Sequence, residues 1–171
     1  HVDDILTMYN GKTVEVKNTD AEGRLILADA LTYAQEKGAT RLIDLATLTG
    51  ACVTALGSVR TGMVGNDQEW MNRFFKVATE AHEKIWQLPA DEEYESLLKS
   101  SVADMKNVGG PEAGAITAGL FLKQFVKDGT PWIHLDIAGP AFREKADETG
   151  FVGATGVGIK SILHLLQGGV P

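Results

Sequence analysis

The stretch Arg41-Leu42-Ile43-Asp44-Leu45-Ala46 (RLIDLA) decides the fold. It is a short, nearly continuous apolar run, the pattern of a central strand covered on both faces. Before it, Leu25, Ala28, Leu31 and Ala34 recur at helical spacing within Arg24 to Lys37, and Gly38 is placed to end that helix. Earlier still, Thr13 to Val16 reads as a short strand. After RLIDLA a Gly-rich loop leads to a strand-like Thr61 to Val64. Asp67 is placed to cap a long helix from Gln68 to Lys84. Further helices are expected over Glu92 to Ser100, over Ala115 to Lys127 and over Val157 to Leu166. Gly109-Gly110-Pro111 marks a loop, and Pro131 to Ala138 (PWIHLDIA) reads as a strand. Strands alternating with helices predict an α/β fold, a three-layer sandwich with a mostly parallel or mixed central sheet flanked by helices. With no repeat, low-complexity tract or linker, residues 1–171 read as one domain.

Composition excludes several classes. No apolar run reaches the roughly 18 residues that a membrane-spanning helix requires. The first residues lack a basic region followed by an apolar stretch, so no secretory signal is read there. The net charge is −7, and Lys and Arg are scattered, with Arg143-Glu144-Lys145 the densest group. That balance opposes binding to a nucleic-acid backbone. Cys52 is the single cysteine, which rules out an intrachain disulfide and suits a reducing, cytoplasmic setting. His1 opens a chain that does not begin with Met and is left out of the chemistry.

In open α/β sheets ligands sit beyond the carboxyl ends of strands, which directs attention to the Gly-rich loops after Ala46, Val64 and Ala138. The richest stretch, however, is Asn18-Thr19-Asp20-Ala21-Glu22-Gly23-Arg24, between a strand and a helix. If the backbone stays extended from Asp20 to Glu22, both carboxylates project to one side and offer hard oxygen donors to Mg²⁺, Mn²⁺ or Zn²⁺. Gly23 permits close approach of a ligand or another backbone. Arg24 adds a permanent positive charge suited to an anion or an oxyanion. Thr19-x-x-Glu22 is equally a helix capping box, with its carboxylate in the favourable first turn. The pattern alone does not separate the two readings, and the cap is the more ordinary one.

NTDAEGRL, Asn18 to Leu25, resembles the signature of the leucyl aminopeptidase family, the cytosol aminopeptidases. The resemblance continues in order through GKTVEV (Gly11 to Val16), LADAL (Leu27 to Leu31), IDLATLTGA (Ile43 to Ala51) and ADMKNVG (Ala103 to Gly109). It then runs through GAITAGLFL (Gly114 to Leu122), PWIHLDIAG (Pro131 to Gly139) and GATGVG (Gly153 to Gly158). It implies the C-terminal catalytic domain of a dimetal aminopeptidase, a hydrolase releasing N-terminal, Leu-like amino acids by attack of a metal-activated water. It implies Asp20 and Glu22 as ligands to two divalent ions, Mn²⁺ or Zn²⁺, and Arg24 as a catalytic arginine holding a bicarbonate ion. Thr47, Leu48 and Gly50 match the loop that contacts the substrate, and Asn18 and Ala21 line the same pocket. A hexameric parent protein is a further implication. Some family members also bind DNA, so a DNA-binding or assembly module is the alternative function; the acidic balance argues against nucleic acid on this chain.

The family's other ligand segment, approximately K-G-x-T-F-D-S/T-G-G, does not occur in this sequence. Lys12, Lys17, Asp3 and Asp4 lie near the signature without matching it. The expectation is a domain cut on its N-terminal side, with a metal half-site, little or no activity alone, and marginal stability or self-association.

Other features have ordinary explanations. His134 and Asp136 share a strand face with Trp132 and suggest a buried, hydrogen-bonded His–Asp arrangement more than a metal site. Asp44 sits mid-strand with no partner legible. Gly153-x-x-Gly156-x-Gly158 precedes a helix but lacks the order of a dinucleotide motif. Gly109 to Gly114 reads as a loop rather than an anion site. Phe74, Phe75, Val77 and Ala78 fit a core or interface face. Cys52 has no activating neighbour and reads as a small buried apolar residue.

Overall fold

In the computed structural model, residues 1–146 and 151–168 are described. Four strands form the central sheet: β3 (Leu42–Ala46), β4 (Thr61–Gly65), β5 (Ile85–Gln87) and β7 (Trp132–Asp136), in the order β3-β7-β4-β5. β3 and β7 run parallel, with Asp44 opposite His134, whereas β4 runs antiparallel to β7 and parallel to β5. The sheet is therefore mixed, one of the two forms expected.

Strand alternation sends successive residues to opposite faces. Leu42, Val64 and Trp132 face a cluster with Ala28 and Leu31 of α1 (Gly23–Glu36) and Leu120, Phe121 and Leu122 of α4 (Gly114–Lys123). Met63, Ile85, Ile133 and Leu135 face Met71, Phe74, Val77 and Ala78 of α3 (Gln68–Glu80), with Ile162 and Leu165 of α5 (Ile159–Leu166) beside them. Helix–sheet–helix is thus the three-layer sandwich predicted. Close approach of α4 to β4 depends on Gly119, where a Cβ would lie 2.8 Å from the Val64 side chain.

A smaller sheet carries the signature turn. β1 (Ile5–Thr7) pairs antiparallel with β2 (Thr13–Glu15), and β2 pairs parallel with β6 (Met105–Lys106). A third pairing joins β8 (Phe142–Arg143) to β9 (Gly153–Ala154).

Several elements depart from the sequence expectation. The Gly-rich loop after β3 contains a helix, α2 (Gly50–Leu56), whose first turn is capped by Thr49: its Oγ1 accepts from Cys52 N at 3.0 Å. Seven residues with β-branched Val53 and Thr54 give too short and too weak a periodicity to read. α3 is capped by Asp67 as expected, Oδ1 accepting from Trp70 N at 2.7 Å. It stops at Glu80 rather than Lys84, because His82 adopts φ 59°. Glu92–Leu98 is a 3₁₀ segment, and α4 ends at Lys123, short of Lys127. Because β4 is antiparallel to β7, the loop after Val64 emerges at the opposite end of the strands from those after Ala46 and Ala138. It is removed from the candidate site on that ground.

Candidate active site

The turn from Asn18 to Arg24 links β2 to α1. Asp20 and Glu22 are both exposed. Asp20 N donates to Asn18 Oδ1 at 2.9 Å, a local turn rather than an extended strand. Glu22 already has helical dihedrals, φ −74° and ψ −34°, and itself occupies the N-cap position with no side-chain capping bond among the described residues. Both simple expectations are corrected: the backbone is not extended through Glu22, and the Thr19–Glu22 capping box does not form. The Glu22 carboxylate is left without a structural task at the helix start.

Arg24 points inward. Only 7% of it is exposed, and Nη1 donates to Asn107 O at 2.8 Å. Its Nε has no hydrogen-bond partner among the described residues. Burial pushes the guanidinium pKa below its ordinary value, partly offset by the negative charge of Asp136. Arginine stays charged even so.

Asp136 ends β7 and is 2% exposed. Its Oδ1 accepts from Leu48 N at 3.2 Å, Thr49 N at 3.4 Å and Ala138 N at 3.1 Å, and its Oδ2 accepts from Thr49 Oγ1 at 2.6 Å. One carboxylate therefore gathers the loops beyond the parallel strands β3 and β7. Leu48 also approaches the signature turn: a Cβ on Gly23 would lie 3.8 Å from Leu48 Cδ1. The chain thus brings the Gly23–Arg24 corner, Leu48 and Asp136 to one edge. Within the loop Thr47 and Gly50 are exposed and Leu48 half-buried; in the turn Asn18 is exposed and Ala21 buried.

The expected His134–Asp136 arrangement is corrected: His134 is buried and hydrogen-bonded, but to Asp44. His134 Nδ1 lies 2.6 Å from Asp44 Oδ1, and Trp132 Nε1 donates to Asp44 Oδ2 at 2.6 Å. Asp44, for which the sequence named no partner, is the acceptor for both; Asp136 serves the loops instead. Cross-strand register creates the pairing, and register is not written in either segment alone. At the N-terminus of α5, Glu83 accepts from Gly158 N, Ser161 N and Ser161 Oγ. The protein's own carboxylate occupies the position a phosphate would take. Cys52 is fully buried, and burial pushes its thiol up to about 11, away from the reactive range. An open depression of about 920 Å³ lies between Val53, Ser58, Lys84 and Pro140 and includes no residue of the signature turn.

Asp20 and Glu22 supply hard oxygen donors of the type that divalent ions take. No group of three or more His, Cys, Asp or Glu side chains poised to hold a metal ion is found among the described residues. The two carboxylates fit such an ion in the kind of donor they offer.

A family model described as "Cytosol aminopeptidase family, catalytic domain" matches residues 1–163. The chain belongs to the cytosol aminopeptidase family. A "Probable cytosol aminopeptidase" of Alkaliphilus oremlandii is 54% identical over 164 residues, covering 96% of this chain and 33% of that protein. One from Koribacter versatilis is 52% identical, covering 96% of this chain and 32% of that protein. The chain thus spans about a third of the length of these cytosol aminopeptidases. Among solved structures, a mutant of tomato leucine aminopeptidase superposes with TM-score 0.88 at 47% identity, covering 95% of this chain and 31% of that one. The bottromycin maturation enzyme BotP in complex with Mn gives 0.93 at 34% identity, covering 98% and 38%. The turn and loop described above lie within the region matched to the cytosol aminopeptidase catalytic domain.

Proposed function

We propose that this chain is the C-terminal catalytic part of a metal-dependent aminopeptidase that releases N-terminal, Leu-like residues from peptides in the cytoplasm of the cell. The observation that carries the reading is the convergence of the Asp20–Arg24 turn and the Leu48–Thr49 loop on one sheet edge, inside a chain matched to the family over residues 1–163. The Mn bound to BotP supports a divalent ion in this fold.

Asp20 and Glu22 would hold the ions, either Mn²⁺ or Zn²⁺. Two such ions, when bound, supply Lewis acidity and an activated water. Arg24 carries its charge at a buried, low-dielectric position, where it would hold an anion such as bicarbonate or stabilise developing negative charge. Thr47, Leu48 and Gly50 would meet the backbone and first side chain of the peptide, with Asn18 and Ala21 lining the same pocket. We place the remaining metal ligands in the family's other ligand segment, which this sequence lacks. Among the described residues the apolar strand β3 forms one edge of the sheet, an arrangement that natural proteins cover, and this supports further structure beside it. A hexameric parent is part of the same proposal.

The full-length protein should hydrolyse Leu-p-nitroanilide with Mn²⁺ or Zn²⁺ and lose that activity on chelation. The chain of residues 1–171 alone should show little or none. Comparable metal-dependent turnover by the isolated chain would refute the half-site, and a metal-loaded full-length protein inert towards N-terminal amides would refute the activity itself.

A further inference from the structure

Asn107 follows β6 and is fully buried, at 0% exposure. Its polar atoms are all directed to one segment, the chain from Glu15 to Arg24. Oδ1 accepts from Lys17 N at 2.8 Å and Asn18 N at 3.3 Å. Nδ2 donates to Asn18 O at 2.7 Å and to Ala21 O at 3.5 Å. Its main-chain N donates to Glu15 O at 3.0 Å, and its main-chain O receives Arg24 Nη1 at 2.8 Å. A side-chain amide has two donor hydrogens and two acceptor lone pairs, and here all four are engaged. An aspartate at this position would lack the donors, and an apolar residue would lack both donors and acceptors.

The connections form a relay. Asn107 fixes the main chain of Asn18 from both sides, and Asn18 Oδ1 in turn receives Asp20 N. The same residue holds the carbonyl of Ala21, between the two exposed carboxylates, and aims the guanidinium of Arg24. We propose that Asn107 is the positioning residue of the site: it sets how Asp20 and Glu22 are presented to a divalent ion and where Arg24 points. The proposal rests on the reading of Asp20 and Glu22 as metal ligands.

A purely structural tie between these segments would act differently, and the molecule contains one for comparison. Asp104 Oδ2 accepts from Thr13 N at 2.7 Å and Thr13 Oγ1 at 2.8 Å, joining the same two stretches at the end away from the turn. Removing it should loosen the small sheet without disturbing Asp20.

The test is calorimetric titration of Mn²⁺ into the full-length protein and its variants. Asn107→Ala and the nearly isosteric Asn107→Asp should each weaken Mn²⁺ binding by about 10–100-fold, the range for residues that orient metal ligands. Asp104→Ala should lower the thermal midpoint but leave Mn²⁺ affinity within about twofold of the parent on that same scale. Asn107→Asp keeps the acceptors and adds a negative charge, so a simple charge effect would tighten binding where lost positioning weakens it. Unchanged or tighter binding in Asn107→Asp overturns the proposal, as does equal weakening by Asp104→Ala. Asp20→Ala with Glu22→Ala gauges the underlying reading. If that double variant binds Mn²⁺ like the parent, the metal assignment fails; if it loses Mn²⁺ while both Asn107 variants keep it, only the role of Asn107 fails.

Discussion

Arg24→Ala in the full-length protein is expected to lower kcat by about 100–1,000-fold, the usual cost of removing one preorganised group that stabilises developing charge. The buried position strengthens the expectation. Arg24 is 7% exposed, and its Nε has no partner among the described residues, so little water competes for its charge, and low local dielectric magnifies its field. Mn²⁺ affinity should stay close to that of the parent, because Arg24 holds no metal. Arg24→Lys should recover part of the rate, since it restores the charge without the planar fork. Steady-state kinetics beside a thermal melt checks this; a fall of less than about tenfold in a folded Arg24→Ala protein would remove Arg24 from the chemistry.

Asp44→Ala should be strongly destabilising. It leaves two buried groups, Trp132 Nε1 and His134 Nδ1, without their shared acceptor. Each such loss costs about 1–3 kcal/mol, so a total near 3 kcal/mol is expected. For a domain of this size that corresponds to a drop of about 6–12 °C in the thermal midpoint. Asp44→Asn retains one acceptor oxygen and should lose roughly half as much. A drop smaller than about 2 °C for Asp44→Ala would show that the Asp44–His134–Trp132 group is not a stabilising element.

Much of the scaffold was legible because its signals are local. α1 has four apolar positions at helical spacing and Gly38 beyond its end; α3 has Asp67 at its start; β3 and β7 are apolar runs. The carboxylates and arginine of the signature turn were legible as residue types, and the resemblance gave them roles. What was not legible depends on tertiary closure. The capping box looked satisfied on paper, yet Glu22 became the cap position itself, because α1 begins at Gly23. α2 is a short capped helix, held by Thr49 and by Cys52 packing beneath β4, too brief to announce itself. Asp44 finds His134 only through the β3–β7 register. Asp136 and Asn107 lie 88 and 89 residues from partners in the loop and turn that they hold. Both fall in blocks that carry the family resemblance, but only a completed backbone reveals that their hydrogen-bonding capacity converges on the turn and the loop.

The account stands most directly on the metal assignment. Calorimetric titration of Mn²⁺ into the full-length protein, beside its Asp20→Ala, Glu22→Ala double variant, tests it in one experiment. The account predicts two bound ions in the parent, and in the double variant a loss of stoichiometry or a weakening of at least about 100-fold, as expected when carboxylate ligands themselves are removed. Two ions bound with unchanged affinity by the folded double variant would contradict it, and the turn from Asn18 to Arg24 would then have to be explained as structure alone.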